Sequence, residues 1–221
     1  MNKKLVKATV PPTLEAPPPG SSVFDRDKQY AMRRKAILQE AGRVFEELGP
    51  QEFSMTALAA HLNITTPALY YYFKSKKEML YECYKISLDI GEKVLEAAKL
   101  EGGNSAQILE RFLYLYLVNG FTELTPTMVL RDHISLTPQF QKKLTAQRDA
   151  LQNKLRELIG KGIEENVITP CNPKFAATSI TGVAALVIRA YNPRGKMTAE
   201  QLAQQTVRML TRGLFSECGR T

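Results

Sequence analysis

The 221-residue sequence has little of what marks several protein classes: it contains three cysteines, two histidines and no long apolar run. The longest uncharged stretch, residues 175–188, is too short for a transmembrane helix, and threonine and serine interrupt it. Lys3, Lys4 and Lys7 precede prolines rather than an apolar segment, so we expect no signal peptide. These absences argue against a membrane or secreted protein.

The cysteines, Cys83, Cys171 and Cys218, lie far apart and form no C-x-x-C pair. This spacing predicts no disulfide framework and fits a reducing compartment, which we take to be the cytoplasm. With only His61 and His133, the sequence offers no Ser/His/Asp arrangement, metal-ligand spacing or glycine-rich phosphate loop. We therefore expect no enzyme, no cofactor and no metal.

The chain is basic overall, and its proline is concentrated near the N-terminus. The net charge of +8 and the isoelectric point of about 9.4 are compatible with a polyanionic partner such as nucleic acid. Residues 1–28 are rich in proline and lack apolar periodicity, so we predict a basic, disordered or extended tail there.

From about Tyr30 onward, apolar residues recur at three and four positions, which predicts helices and no strands. The first helix should stop at Gly49. Capping residues then mark further starts, and the predicted helices after the first are 54–62, 65–73, 75–100, 105–123, 126–135, 138–166, 173–191 and 198–216. The predicted fold class is all-α.

Residues 54–73 carry the most informative pattern: two short helices, a tight turn at 62–64, and a longer helix before them. This is the layout of a helix-turn-helix, whose second helix enters the major groove of DNA. At about 100° per residue, Leu69 faces the preceding helices, whereas Tyr70 and Tyr71 point outward.

Outward tyrosines suit DNA, because the hydroxyl can bond a phosphate oxygen and the ring can pack on a sugar or a thymine methyl. The alternative, packed aromatic rings, applies most to Tyr72, which lies close to the Leu69 side. Two basic clusters flank this helix and can reach phosphates, although an ordinary solvated surface is their alternative. They are Lys74, Lys76 and Lys77, and Arg33, Arg34 and Lys35.

The run from Ser54 to Lys76, SMTALAAHLNITTPALYYYFKSK, resembles the DNA-binding domain of the tetracycline-repressor (TetR) family. That family has a polar cap, a Leu-Tyr-x-x-Phe core and a lysine in the next helix, matched here by Thr65, Leu69, Tyr70, Phe73 and Lys76. The resemblance implies that Thr65, Thr66, Tyr70, Tyr71 and Tyr72 contact DNA and that Lys76 holds a phosphate. The full set of predicted DNA-binding residues is Ser54, Thr56, Thr65, Thr66, Pro67, Ala68, Tyr70, Tyr71, Tyr72, Lys76 and Arg33.

Pro67 departs from the family pattern, because many members have glycine there after a lysine. Proline has no backbone N–H, so this position loses a donor that base recognition could use. The resemblance also predicts three regions: a tail (1–28), a helix-turn-helix domain (29–76) and an antiparallel helical domain for dimerisation and ligand binding (77–221).

The resemblance implies that the last two helices form the dimer interface. Small side chains along 173–191 permit close helix approach, and 198–216 carries an apolar stripe, so the residues fit a four-helix interface. A purely intramolecular core is the alternative. The predicted interface residues are Ala177, Ile180, Ala184, Val187, Leu202, Thr206, Met209 and Leu210.

The resemblance also implies a small-molecule pocket, for which ordinary core packing is the alternative at each position. The predicted lining residues are Phe112, Tyr116, Phe121, Met128, Arg131, His133 and Phe175. We interpret Arg131 and Arg189 first as members of interface ion pairs and second as ligands for an effector head group. The segment 191–195 resembles a subgroup of the family that senses acyl-CoA-type ligands.

The sequence thus predicts a cytoplasmic, homodimeric, sequence-specific DNA-binding transcriptional regulator without a membrane partner. We expect a repressor that a small hydrophobic, acyl-CoA-like effector releases from a palindromic operator in double-stranded DNA. An enzyme and a helical adaptor protein are the alternatives. Steep loss of duplex binding with added salt would favour the regulator over both.

Overall fold

The computed structural model describes residues 23–123 and 136–212, and within them it contains eight helices and no strand. In chain order they are α1 (Val23–Glu52), α2 (Met55–His61), α3 (Thr66–Tyr72), α4 (Lys76–Leu100), α5 (Ser105–Glu123), α6 (Pro138–Glu164), α7 (Pro173–Ala190) and α8 (Ala199–Arg212). The all-α prediction is confirmed. The helix predicted at 126–135 lies outside the described residues. No described helix is long and apolar enough to cross a membrane.

Helix α1 begins at Val23, which corrects the predicted end of the N-terminal tail for residues 23–28. This segment follows the proline-rich stretch and contains no proline, so the helix can extend backwards from Tyr30 without a second, costly nucleation step. The other end agrees with expectation: α1 is kinked at Gly49, whose φ of 75° and ψ of 173° interrupt the helix.

Side chains cap the helices at three of the predicted starts. Ser54 Oγ accepts a hydrogen bond from Ala57 N at 3.1 Å, and Asn172 Oδ1 accepts from the backbone at the start of α7. Thr198 and Gln201 exchange both bonds of a capping box. These local signals therefore fix where three helices begin.

The described residues divide into two compact units, 23–83 with 136–137, and 84–123 with 138–212. Helix α4 contributes residues to both units. The smaller unit is built from α1, α2, α3 and the start of α4. Its core consists of apolar side chains with almost no exposed surface: Ile37, Phe53, Leu58, Leu69, Phe73 and Met79.

In the larger unit, α5 packs against α6, α7 and α8, and α6 packs against α7. Phe112, Leu113 and Leu117 of α5 are fully buried. The backbone of α5 comes so close to α7 that a Cβ atom on Gly120 would clash with Ile188. Close helix approach therefore requires glycine at this position.

Candidate nucleic-acid interface

A tight turn fixes the direction in which α3 leaves α2. Asn63 has a φ of 54°, the left-handed conformation that asparagine tolerates better than most residues. Ile64 N donates to Ala59 O at 3.0 Å and closes the end of α2. Thr65 Oγ1 then accepts from Ala68 N at 3.3 Å and caps α3. The helix-turn-helix arrangement predicted for residues 54–73 is present.

One face of α3 anchors it to the smaller unit. Leu69 and Phe73 are fully buried, as their spacing predicts. The Arg34 guanidinium lies 4.7 Å from the centroid of the Phe73 ring and pairs with Glu82 at 3.4 Å. Arg34 of α1 therefore packs against the C-terminal end of α3, the predicted recognition helix.

The opposite face of α3 is open to solvent. The Tyr71 side chain is 72% exposed and that of Tyr70 is 48% exposed, while Pro67 and Ala68 are also exposed. Large aromatic side chains on an accessible helix face are unusual unless a partner covers them. The rings on this face of α3 are therefore accessible to a partner.

Tyr72 is half-buried, in keeping with its predicted direction between the two faces. Its ring stacks on Tyr30 of α1, with centroids 5.1 Å apart and planes inclined by 25°. The Tyr71 ring meets the rings of Tyr30 and Tyr72 edge to face, with centroid distances of 5.7 and 5.2 Å, respectively. Tyr30 is not among the residues predicted from the sequence. An aromatic residue at the start of a helical pattern, with no partner nearby in sequence, does not indicate a contact with α3.

The predicted basic residues differ in accessibility. Lys74 and Lys77, on either side of the α4 N-terminus, are exposed, whereas Arg33 is half-buried. Lys76 Nζ donates to Phe53 O at 2.5 Å and lies 5.4 Å from the Phe53 ring centroid. Burial lowers the pKa of Lys76. Lys76 thus also ties α4 to the segment that precedes α2.

The remaining predicted DNA-binding residues lie at the helix starts. Ser54 and Thr56 are exposed at the beginning of α2, where Ser54 serves as the N-cap. Thr65 is exposed and Thr66 is half-buried. These side chains and the tyrosines all lie in the smaller unit. Among the described residues, no group of histidine, cysteine, aspartate and glutamate side chains is suited to binding a metal.

Four of the seven predicted pocket residues lie in the part of the chain that the structure describes, and they differ in burial. Phe112 and Tyr116 are buried and stacked, with ring centroids 5.7 Å apart, and burial raises the pKa of Tyr116 to about 12. The rings of Phe121 and Tyr191 pack together, with their centroids 4.5 Å apart. The structure places Phe175 on the surface, 74% exposed near the start of α7, rather than in a cavity. The other predicted lining residues, Met128, Arg131 and His133, lie outside the described residues.

A groove in the larger unit lies elsewhere, between α5 and α8, with a volume of about 530 Å³. None of the four predicted pocket residues that the structure describes lines it. The described residues that line it are Glu110, Arg111, Tyr114, Gln204, Val207 and Arg208.

The predicted interface residues divide by burial. Ala177, Ala184 and Thr206 are buried within the chain, because α7 and α8 pack against α5, and they offer almost no surface to a second copy. Ile180, Val187, Leu202 and Leu210 are half-buried, and Met209 is 37% exposed. Leu186, which we did not predict, is 56% exposed on α7.

Two family models match the sequence. "Bacterial regulatory proteins, tetR family" matches residues 37–83, and "Tetracyclin repressor-like, C-terminal domain" matches residues 102–214. Among curated proteins, the repressor KstR2 of Mycolicibacterium smegmatis is 24% identical over 88% of this chain and 97% of its own length. The regulator AcrR of Shigella flexneri is 27% identical over 75% of this chain and 78% of its own.

Solved structures agree with this assignment. The TetR-family regulator PfmR of Thermus thermophilus is 31% identical and has a TM-score of 0.72, covering 81% of this chain and 99% of its own. AibR, solved with isovaleryl coenzyme A and operator DNA, is 24% identical and has a TM-score of 0.68, covering 83% of this chain and 100% of its own. The helices and their order are therefore those of known DNA-binding regulators.

Proposed function

This chain belongs to the tetracycline-repressor family, and we propose on that premise that it is a homodimeric repressor that a small hydrophobic effector releases from a palindromic operator. It is a DNA-binding transcriptional regulator. The observation that carries the proposal is the exposed tyrosine face of α3, anchored from behind by the buried Leu69 and Phe73.

In this proposal α3 lies in the major groove. Tyr70 and Tyr71 contact the phosphate backbone and base edges, and the small residues Pro67 and Ala68 let the start of the helix come close. Thr65 uses its hydroxyl oxygen to cap α3, which leaves the hydroxyl proton as a donor to the duplex.

Phosphate contacts come from the lysines at the start of α4. Lys74 and Lys77 are exposed, and Lys76 lies between them in sequence. Lysine contacts to phosphate release counterions, so they add affinity for any sequence and make binding fall with salt. Ser54, Thr56 and Arg33 supply further contacts at the edge of the groove.

A homodimer would place two recognition helices about one turn of DNA apart, which suits a pseudo-palindrome. The exposed apolar side chains Leu186 of α7 and Met209 of α8 support an interface on these helices. We expect Leu186→Glu to yield monomers in sedimentation analysis, because burying an unpaired carboxylate is costly. Leu100→Glu is the matched control, since Leu100 is 88% exposed at the end of α4. A dimeric Leu186→Glu protein would place the interface elsewhere.

The proposed effector is an acyl-CoA-type molecule in the larger unit, which acts on DNA affinity through α4, the helix common to both units. The complex of AibR with isovaleryl coenzyme A supports this chemical class. Isovaleryl-CoA should reduce operator affinity, whereas the free acid and coenzyme A alone should not. Equal effects of all three would exclude an acyl-CoA sensor. DNA and acyl-CoA ligands both point to the cytoplasm.

The experiment that tests DNA recognition is selection of bound sites from random duplex DNA, followed by affinity measurements on the selected sequence. We expect a palindromic site and, for Tyr71→Ala, a loss of about 1–3 kcal/mol in operator binding with the dimer intact. Met32→Ala is the control, because Met32 is 54% exposed on α1 and no contact role is assigned to it. A Tyr71→Ala protein that binds like the parent would show that the docking geometry is wrong.

A further inference from the structure

We propose that Tyr30 is a positioning residue of the DNA-reading surface: its ring holds Tyr71 and Tyr72 in one arrangement before DNA arrives. This inference rests on the proposed function, because it concerns the same face of α3. Tyr30 lies on α1, some forty positions before the tyrosines of α3, and none of the patterns that identify the recognition helix include it.

The geometry shows a closed set of three rings. Tyr30 stacks on Tyr72 at 5.1 Å and meets Tyr71 edge to face at 5.7 Å, while Tyr71 and Tyr72 meet edge to face at 5.2 Å. All three distances lie within the range at which aromatic pairs attract, and both orientations are the favoured ones. Each ring therefore restricts the other two.

Exposure explains why such a restraint is needed. Tyr71 is 72% exposed, so little of the protein interior limits its rotamers. A side chain that must be ordered on binding loses conformational entropy at that moment, which weakens the complex. Tyr30 is itself partly exposed, and its ring contacts both Tyr71 and Tyr72, so it can restrict the rotamers of these two neighbours.

The expected signature is a loss of discrimination rather than a loss of all DNA binding. Tyr30→Ala should weaken operator binding about two- to tenfold, the effect of losing one or two aromatic pairs. Binding to random-sequence duplex should weaken less than operator binding, and the salt slope should stay close to that of the parent, because the phosphate contacts of the lysines are unchanged. Tyr30→Phe keeps the ring and should restore operator affinity.

A double-mutant cycle separates positioning from direct contact. If Tyr30 acts through its neighbours, Tyr30→Ala should have no further effect on operator affinity in a Tyr71→Ala/Tyr72→Ala protein. The proposal is overturned if the effects are additive, if Tyr30→Phe is as weak as Tyr30→Ala, or if Tyr30→Ala binds operator like the parent. Met32→Ala, on the same helix, is the control for α1.

Failure of the proposed function has a different outcome. If the parent chain binds no duplex in the selection, DNA recognition itself is excluded and Tyr30 has no role in it. If the parent selects a site and Tyr30→Ala reads it equally well, DNA recognition stands and only the positioning role falls. Thermal unfolding of each variant shows whether any loss of affinity reflects loss of the fold.

Discussion

The two units of this protein differ in how far apart in sequence the residues lie that determine whether a side chain is buried or exposed. In the smaller unit, the caps, the turn and the two faces of α3 all depend on residues a few positions apart. In the larger unit, burial arises where α5 meets helices that lie far from it in sequence, such as α7 and α8. Local patterns therefore predict which side of α3 is buried and which is exposed, whereas burial in the larger unit depends on three-dimensional packing.

The largest effect we expect comes from Phe73, a motif residue whose role is structural. Phe73→Ala should lower the free energy of unfolding by about 3–5 kcal/mol, because it leaves a cavity at a fully buried site and removes the ring beneath Arg34. Chemical denaturation followed by circular dichroism measures this loss. Operator binding should fall with it.

Tyr71→Ala is the matched control for that measurement, since Tyr71 is two positions away and exposed. It should lower stability less than Phe73→Ala does, because its exposed ring loses two aromatic pairs worth about 0.5–1.5 kcal/mol each, and it should weaken operator binding. If Phe73→Ala were as stable as Tyr71→Ala, the division of α3 into an anchoring face and a reading face would fail.

Much of the smaller unit could be predicted from sequence because its signals are local. The Ser54 cap, the turn at Asn63 and the buried side of α3 follow from residue type and a helical period. The start of α1 was missed because proline density dominates the preceding stretch. The bond of Lys76 to the Phe53 carbonyl was missed because it joins residues 23 positions apart.

The larger unit was predictable in its helices but not in its surfaces. Helical periodicity marks one apolar stripe, but it cannot say whether that stripe meets a neighbouring helix or a second copy. Ala177 and Ala184 fit an interface by size, yet the structure buries them within the chain. Phe175 fits a pocket by chemistry, yet it is exposed. Both outcomes depend on how α5, α6 and α7 pack.

Glycine substitutions test that dependence on packing. Gly120→Ala should cost about 1–3 kcal/mol in unfolding free energy, because the new methyl group would clash with Ile188 and push α5 from α7. Gly160→Ala, on α6, should instead stabilise by about 0.4–1 kcal/mol, since nothing lies within 4 Å of the added carbon. Thermal or chemical unfolding compares the two. Equal effects at both positions would mean that the approach of α5 to α7 is less close than the structure shows.

The smallest effect we expect concerns a contact that no local pattern can reveal. Glu165, just after α6, accepts a hydrogen bond from Ser105 N, 60 positions earlier, at 3.0 Å. This bond lowers the pKa of Glu165. A carboxyl whose pKa is lower in the folded state than in the unfolded state stabilises the fold above its unfolded value, about 4.3 for glutamate. That contribution disappears as the pH falls through the lower, folded value.

Glu165→Gln should therefore reduce stability near neutral pH and flatten its decline in acid, because the amide does not titrate. Unfolding free energies measured from neutral pH down into the acid range, below the unfolded pKa of glutamate, would show the curves of the parent and the variant converge. Glu164→Gln removes the same charge one position earlier and controls for net charge. If the stability of both variants responds to pH alike, the bond to Ser105 does not stabilise the contact between the end of α6 and the start of α5. Apolar packing alone would then hold these two helix ends together.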